Sequence, residues 1–131
     1  RVYAALSAYR KTLGEQASTT GLPVVRHPWI CFPEDPNVVQ LEWQFMLGDR
    51  FMIAPVLDAN TDRVTLYLPK GSWRHLWSDV VLDVDEGAWF EVDAPMGSPA
   101  VFFPVGDPFD RTAIWAFPDL PSRLLCRCSG V

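Results

Sequence analysis

Basic residues are scarce in this 131-residue chain: eleven Lys and Arg face sixteen Asp and Glu, a formal net charge of −5. A nucleic-acid surface needs clustered Lys and Arg, and no such cluster occurs. Long apolar runs are also missing. None approaches the ~20 residues that cross a bilayer, so neither a nucleic-acid nor a membrane partner is expected. Cysteine is sparse, and Cys31, Cys126 and Cys128 make no disulfide framework. A zinc site needs about four ligands, and beyond Cys126 and Cys128 only His27 and His75 remain as nitrogen donors, far off in sequence. No metal and no cofactor is therefore expected, and the thiols read as free ones in a reducing, cytoplasm-like compartment. The Gly48-Asp49 pair lacks the repeated glycines and the lysine of a phosphate cradle. The acidic stretch Asp79, Asp83, Asp85, Glu86, Glu91 and Asp93 lacks the tight ligand alternation and glycine of a calcium loop. It reads as a solvated edge that discourages strand-to-strand aggregation. No charged-then-apolar leader opens the chain, and Arg1 begins directly on a helical pattern, as a piece of a longer protein would.

What is present is apolar. Hydrophobic residues make up 49% of the chain, enough for one domain with a real core. Over residues 1–20, Val2, Ala5, Leu6, Tyr9 and Leu13 recur at steps of three and four, which predicts an amphipathic helix. Gly21 is placed to cap it and Pro23 to end it. An extended apolar run at residues 23–29 follows. Asp35-Pro36 then signals a short helical turn, with Asp as cap and Pro in the first position. Beyond Gly48 the periodicity falls to two: Val64, Leu66 and Leu68 alternate with Thr65 and Tyr67. Strands are predicted at 51–56, 64–68, 73–77, 80–84, 89–92 and 101–103, a spacing that suggests an antiparallel sandwich. Residues 1–110 carry a net charge of −7 and residues 111–131 of +2, and Pro118 and Pro121 break any regular element there. The segment 106–131 is expected to be an atypical, disordered tail.

Five motifs narrow this outline. Gly-Leu-Pro-Val-Val-Arg (21–26) comes first, then Phe-Pro-Glu-Asp-Pro (32–36), Gln-Phe-Met-Leu-Gly-Asp (44–49), Ala-Pro-Val (54–56) and Tyr-Leu-Pro-Lys-Gly-Ser-Trp (67–73). In this order and at these spacings the chain resembles glycoside hydrolase family 31 over about residues 1–105. The resemblance implies a mixed fold: residues 1–45 as the last helix and strand of a (β/α)8 catalytic barrel, and residues 46–105 as a proximal antiparallel β-sandwich. Later runs, Trp73-Arg74-His75-Leu76-Trp77 and the segment 92–102, look closest to the sulfoquinovosidase-like branch.

Family members are retaining enzymes that use two aspartates, and the resemblance places both upstream of Arg1. No catalytic residue is therefore assigned to this chain. The loop after the last barrel strand would face the substrate, which makes Arg26, His27, Trp29 and Asp35 the substrate-side candidates. Each also has a structural reading. Arg26, buried at a barrel mouth, needs a carboxylate or carbonyl partner. His27 departs from the family's usual Arg-Pro pair and reads equally as a hydrogen-bonded structural residue. Asp35 either orders the loop or caps the following turn. Trp29, Trp43, Trp73, Trp77 and Trp89 are either a sugar-stacking set or a core stripe, and Trp73 and Trp77, four apart in a strand, would point to one side.

The expected function is thus the C-terminal part of a retaining α-glycoside hydrolase, α-glucosidase or sulfoquinovosidase-like. Its partners would be an α-glycoside and the rest of the barrel, and the chain alone would be inactive. The alternative is a non-catalytic carbohydrate-binding or scaffolding β-domain.

Overall fold

The structure, a computed structural model, describes residues 2–108. The amino-terminal stripe folds as two helices in near continuity, α1 (Val2–Ala5) and α2 (Ser7–Thr20). Leu6 bends the axis, yet its N–H still donates to the Val2 carbonyl (3.0 Å), and the Arg10 N–H donates to Leu6 (2.9 Å). Gly21 ends α2 in the left-handed region, φ 77°, where its N–H donates to the Ala17 carbonyl. A side chain would be strained in that conformation, which accounts for the glycine.

The extended run that follows is shorter than the sequence predicts. Only Val25–Arg26 forms a strand (β1), because Pro28 opens a helical turn, α3 (Pro28–Cys31). Proline suits that first turn, having no N–H to place. A 3₁₀ turn, Pro36–Gln40, starts behind the Asp35 cap. Seven strands follow: β2 (Phe45–Leu47), β3 (Phe51–Ala54), β4 (Arg63–Leu68), β5 (Gly71–His75), β6 (Val81–Val84), β7 (Ala88–Asp93) and β8 (Ala100–Pro104). They form a six-stranded sheet of order β1-β2-β3-β8-β5-β6 and a two-stranded sheet, β4-β7. All these pairings are antiparallel, including β1 with β2.

Strand alternation sorts the large sheet's side chains into two cores. Met52 and Ala54 of β3 and Ala100 and Phe102 of β8 point toward the small sheet and meet Leu66, Leu68 and Val92. Phe51 and Ile53, with Val101 and Phe103, point the other way and meet Val2, Ala5, Leu6 and Tyr9 of the helices. The result is three layers, helix on sheet on sheet. Each fully buried Leu, Phe or Met stabilises this arrangement by about 1.5–3 kcal/mol.

Two expectations about strand faces are corrected. The predicted strand 73–77 begins and ends earlier, at Gly71 and His75, so Trp77 lies beyond it. Trp73 packs in the inter-sheet core and Trp77 in the helix-side core. They do not share a face, although both are buried. Tyr67, expected opposite a half-buried face, is itself buried among Val38, Leu41 and Phe32. Residues 32–41 cover the side of β4 that periodicity would leave to water.

The expected tail lies outside the described residues from residue 109 on, as do Cys126 and Cys128. Its first residues are held: Asp107, with a buried side chain, pairs with Arg50 at 3.1 Å. No helix among the described residues is long and apolar enough to cross a membrane.

The helix layer is fastened at one point. The Tyr9 hydroxyl donates between the Leu47 carbonyl (3.2 Å) and the Asp49 carboxylate (3.1 Å). Gly48 sits under it at φ 61°, and a Cβ there would run into the Tyr9 hydroxyl and the Leu13 side chain. Gly48→Ala should therefore destabilise the fold by about 2 kcal/mol or more, read as a lower urea midpoint. Burial, then the Asp49 charge, pushes Tyr9 from 10.0 up to about 12. A raised phenol value means that stability is intact below the unfolded value and is lost as pH rises through the folded one. The unfolding midpoint should thus fall between pH 10 and about 12, and Tyr9→Phe should fall less steeply over the same window.

Candidate functional site

The segment between β1 and β2 carries the four candidate residues, and the structure sends them to different places. Arg26 is buried, 5% exposed. Its Nε donates to the Pro23 carbonyl (2.8 Å) and its Nη2 to the Gln16 side-chain carbonyl (2.7 Å). It thus ties β1 to α2 through neutral oxygens. Among the described residues it forms no ion pair with a carboxylate; of the two partner types expected for it, the structure supplies carbonyls. Cys31 is a free thiol close by. Burial pushes it up, and the Arg26 charge partly offsets that rise.

His27 works on the backbone. Its Nδ1 accepts from the Trp29 N–H (3.1 Å), capping α3, while Nε2 lies 2.9 Å from the Leu41 carbonyl. Donation to that carbonyl requires the Nε2–H tautomer, which leaves Nδ1 as the acceptor the cap needs. His27 therefore pins both ends of the segment. Trp29 contributes only its backbone N–H to this fastening, and its indole is exposed on α3.

Asp35 has both carboxylate oxygens engaged. Oδ1 accepts from the Asn37 backbone N–H (2.9 Å) and side-chain amide (3.1 Å), and Oδ2 accepts from the Tyr67 hydroxyl (2.7 Å). The Tyr67 oxygen in turn accepts from Asn37 Nδ2 (3.2 Å). Burial, then this bond to Asp35, pushes the Tyr67 phenol up. Gly87 crosses closely over the pair at φ 87°, where a Cβ would strike the Tyr67 hydroxyl.

The key residue not singled out from sequence is Gln44. It is buried, its Nε2 donates to the Tyr67 carbonyl (2.7 Å), and its Oε1 accepts from the Tyr67 N–H (2.8 Å). One side-chain amide thus does for β4 what a neighbouring strand would do. A polar residue at a core position beside Phe45 was the available signal. Its partner, 23 residues away, was not visible.

Asp35 lines an open groove of about 440 Å³ with Glu34, Asn37, Lys70, Asp85 and Glu86. Arg26, His27 and Trp29 do not line it. The groove is acidic, but among the described residues no group of three His, Cys, Asp or Glu side chains is arranged to hold a metal ion. Asp35 is also spent on its cap and on Tyr67. The Asp35 arrangement anchors a loop.

Comparison with known proteins points to one family. The family model for the glycosyl hydrolase family 31 C-terminal domain matches residues 21–108. A sulfoquinovosidase of Agrobacterium fabrum is 36% identical over 103 residues, covering 78% of this chain and 15% of that protein. Alpha-glucosidase 2 of Bacillus thermoamyloliquefaciens is 33% identical over 95 residues, covering 72% and 12% respectively. Among solved structures, a GH31 family sulfoquinovosidase from E. rectale superposes with a TM-score of 0.76 at 29% identity, over 82% of this chain and 16% of that one. The chain therefore spans only about a seventh of the length of such relatives.

Removing the Gln44 amide would leave the Tyr67 N–H and carbonyl buried and unpaired. Gln44→Ala should cost about 2–4 kcal/mol, and Tyr67→Phe, which removes one donor from Asp35, about 1–2 kcal/mol. Chemical denaturation of the two variants should preserve that order.

Proposed function

The chain belongs to glycosyl hydrolase family 31, and from that premise we propose that it is the C-terminal part of a retaining α-glycosidase acting on α-glucosides or sulfoquinovosides. In this reading residues 1–45 form the last helix and strand of a (β/α)8 barrel, and residues 46–105 form the β-domain that braces it. The loop carrying His27, Trp29 and Asp35 lies toward the substrate, with Arg26 beneath it. The rest of the barrel is the chain's partner, and an α-glycoside the substrate of the whole enzyme.

One observation carries the reading. Among the described residues β1 stands at the end of the six-stranded sheet with β2 as its only neighbour, and Val25 within it and Trp29 and Ile30 just after it are exposed. An edge strand beside apolar side chains is a surface prepared for another strand. A preceding barrel strand fits that edge.

Retaining hydrolysis needs two carboxyl groups ~5–5.5 Å apart, one to attack the anomeric carbon and one to protonate the leaving oxygen. Asp35 serves as a cap and as the Tyr67 acceptor, and in this reading both catalytic aspartates belong to the part of the barrel that precedes Arg1. The 131-residue chain by itself should release no 4-nitrophenol from an aryl α-glucoside or an aryl sulfoquinovoside. Turnover by a pure sample, lost on mutation of a carboxylate of this chain, would overturn the proposal.

A further inference from the structure

A second groove, of about 530 Å³, lies away from the acidic one. Its wall is the Trp43 indole, which is 66% exposed. Val56 and Val64 make an apolar floor, and Asp58, Thr61 and Thr65 stand along the rim. The backbone under Trp43 is fixed on both sides. Leu41 is buried and its carbonyl meets His27 Nε2 at 2.9 Å, while Gln44 is clamped to Tyr67. The indole is therefore presented from a rigid frame, and binding against it would order little.

Trp43 differs from the buried tryptophans. The indole N–H of Trp73 donates to the Pro69 carbonyl and that of Trp77 to the Pro99 carbonyl. Among the described residues no hydrogen bond engages the indole N–H of Trp43, the Thr65 hydroxyl or the Asp58 carboxylate. An aromatic face with unspent donors and acceptors beside it suits a ligand that is apolar on one face and hydroxylated at its edge.

The charge decides between sugar types. Among the described residues the groove's only lining cation is Arg63, and it is already bound by Glu91 (2.8 Å) and Asp93 (3.1 Å). Asp58 adds a negative charge to the rim. A phosphorylated or sulfonated ligand would meet Asp58, Glu91 and Asp93 around that one guanidinium, an excess of negative charge.

We propose that the Trp43 groove is a non-catalytic binding site for neutral oligosaccharides, in which a pyranose ring stacks on the indole and its hydroxyls bond Asp58, Thr61 and Thr65. The site is independent of the bracing role, since it uses neither the β1 edge nor any catalytic group.

The test is a titration of the 131-residue chain, followed by the NMR signals of the tryptophan indole N–H groups. Maltoheptaose and isomaltotriose are the neutral probes and glucose 6-phosphate the anionic one. At least one neutral probe should shift the Trp43 signal saturably, with a Kd on the order of 1 mM. Trp43→Ala should weaken binding by about tenfold or more, as should Thr65→Val by a smaller factor. Trp89→Ala, which alters another exposed indole, should leave it unchanged. The proposal is overturned by absence of saturable shifts with both neutral probes, by binding that survives Trp43→Ala, or by tighter binding of the anionic probe. The turnover assay reads the bracing proposal separately, so failure on any arm of this titration leaves that proposal standing.

Discussion

A single buried amide decides how the small sheet is held. Two strands alone are marginal in water, and β4 would otherwise turn one edge of unpaired backbone toward the interior. Gln44 closes that edge at Tyr67 with two hydrogen bonds, and does so from the segment that precedes the large sheet. Through it the 3₁₀ turn, the Asp35 cap and the buried Tyr67 ring become parts of one unit. Leu41 and Val38 then pack against Tyr67 because the backbone is already placed there.

This arrangement blurs the line between the two regions that the sequence suggests. Residues before 45 supply the helix layer on one face of the large sheet, and Phe32 and Cys31 pack against the core on the other. Arg26 ties β1 back to α2, and Tyr9 ties α2 forward to the β2–β3 turn. Neither region has a core that excludes the other. The same side chains serve both stretches, so residues 1–45 and 46–105 are held as one packed body.

Local chemistry was legible in the sequence where the partner is near. The Gly21 stop, the Asp35-Pro36 start and the alternation in β4 follow from neighbours within a few residues. Strand ends were less so: β5 stops at His75 because the chain turns there, and the turn's Ser78-Asp79, with Asp79 at φ 64°, is a weaker signal than a glycine or proline. The faces were hardest. Tyr67 looked solvent-facing because its cover, residues 32–41, is remote in sequence, and the Trp73–Trp77 stripe dissolved once the strand shifted. Of the site candidates, Asp35 could be read as a cap from its Pro36 neighbour. The partners of Arg26 and His27 could not be read, since carbonyl acceptors leave no mark on side-chain identity. The family motifs succeeded because they record such distant partners indirectly: Gln44 and Tyr67 each open one of them.

The Arg50–Asp107 pair has a consequence for the route of the chain. It brings Pro108 to the same groove that Ala5, Ala8 and Tyr9 line. The exit from β8 is thereby steered to the helix-bearing face of the large sheet, away from the face that meets the small one.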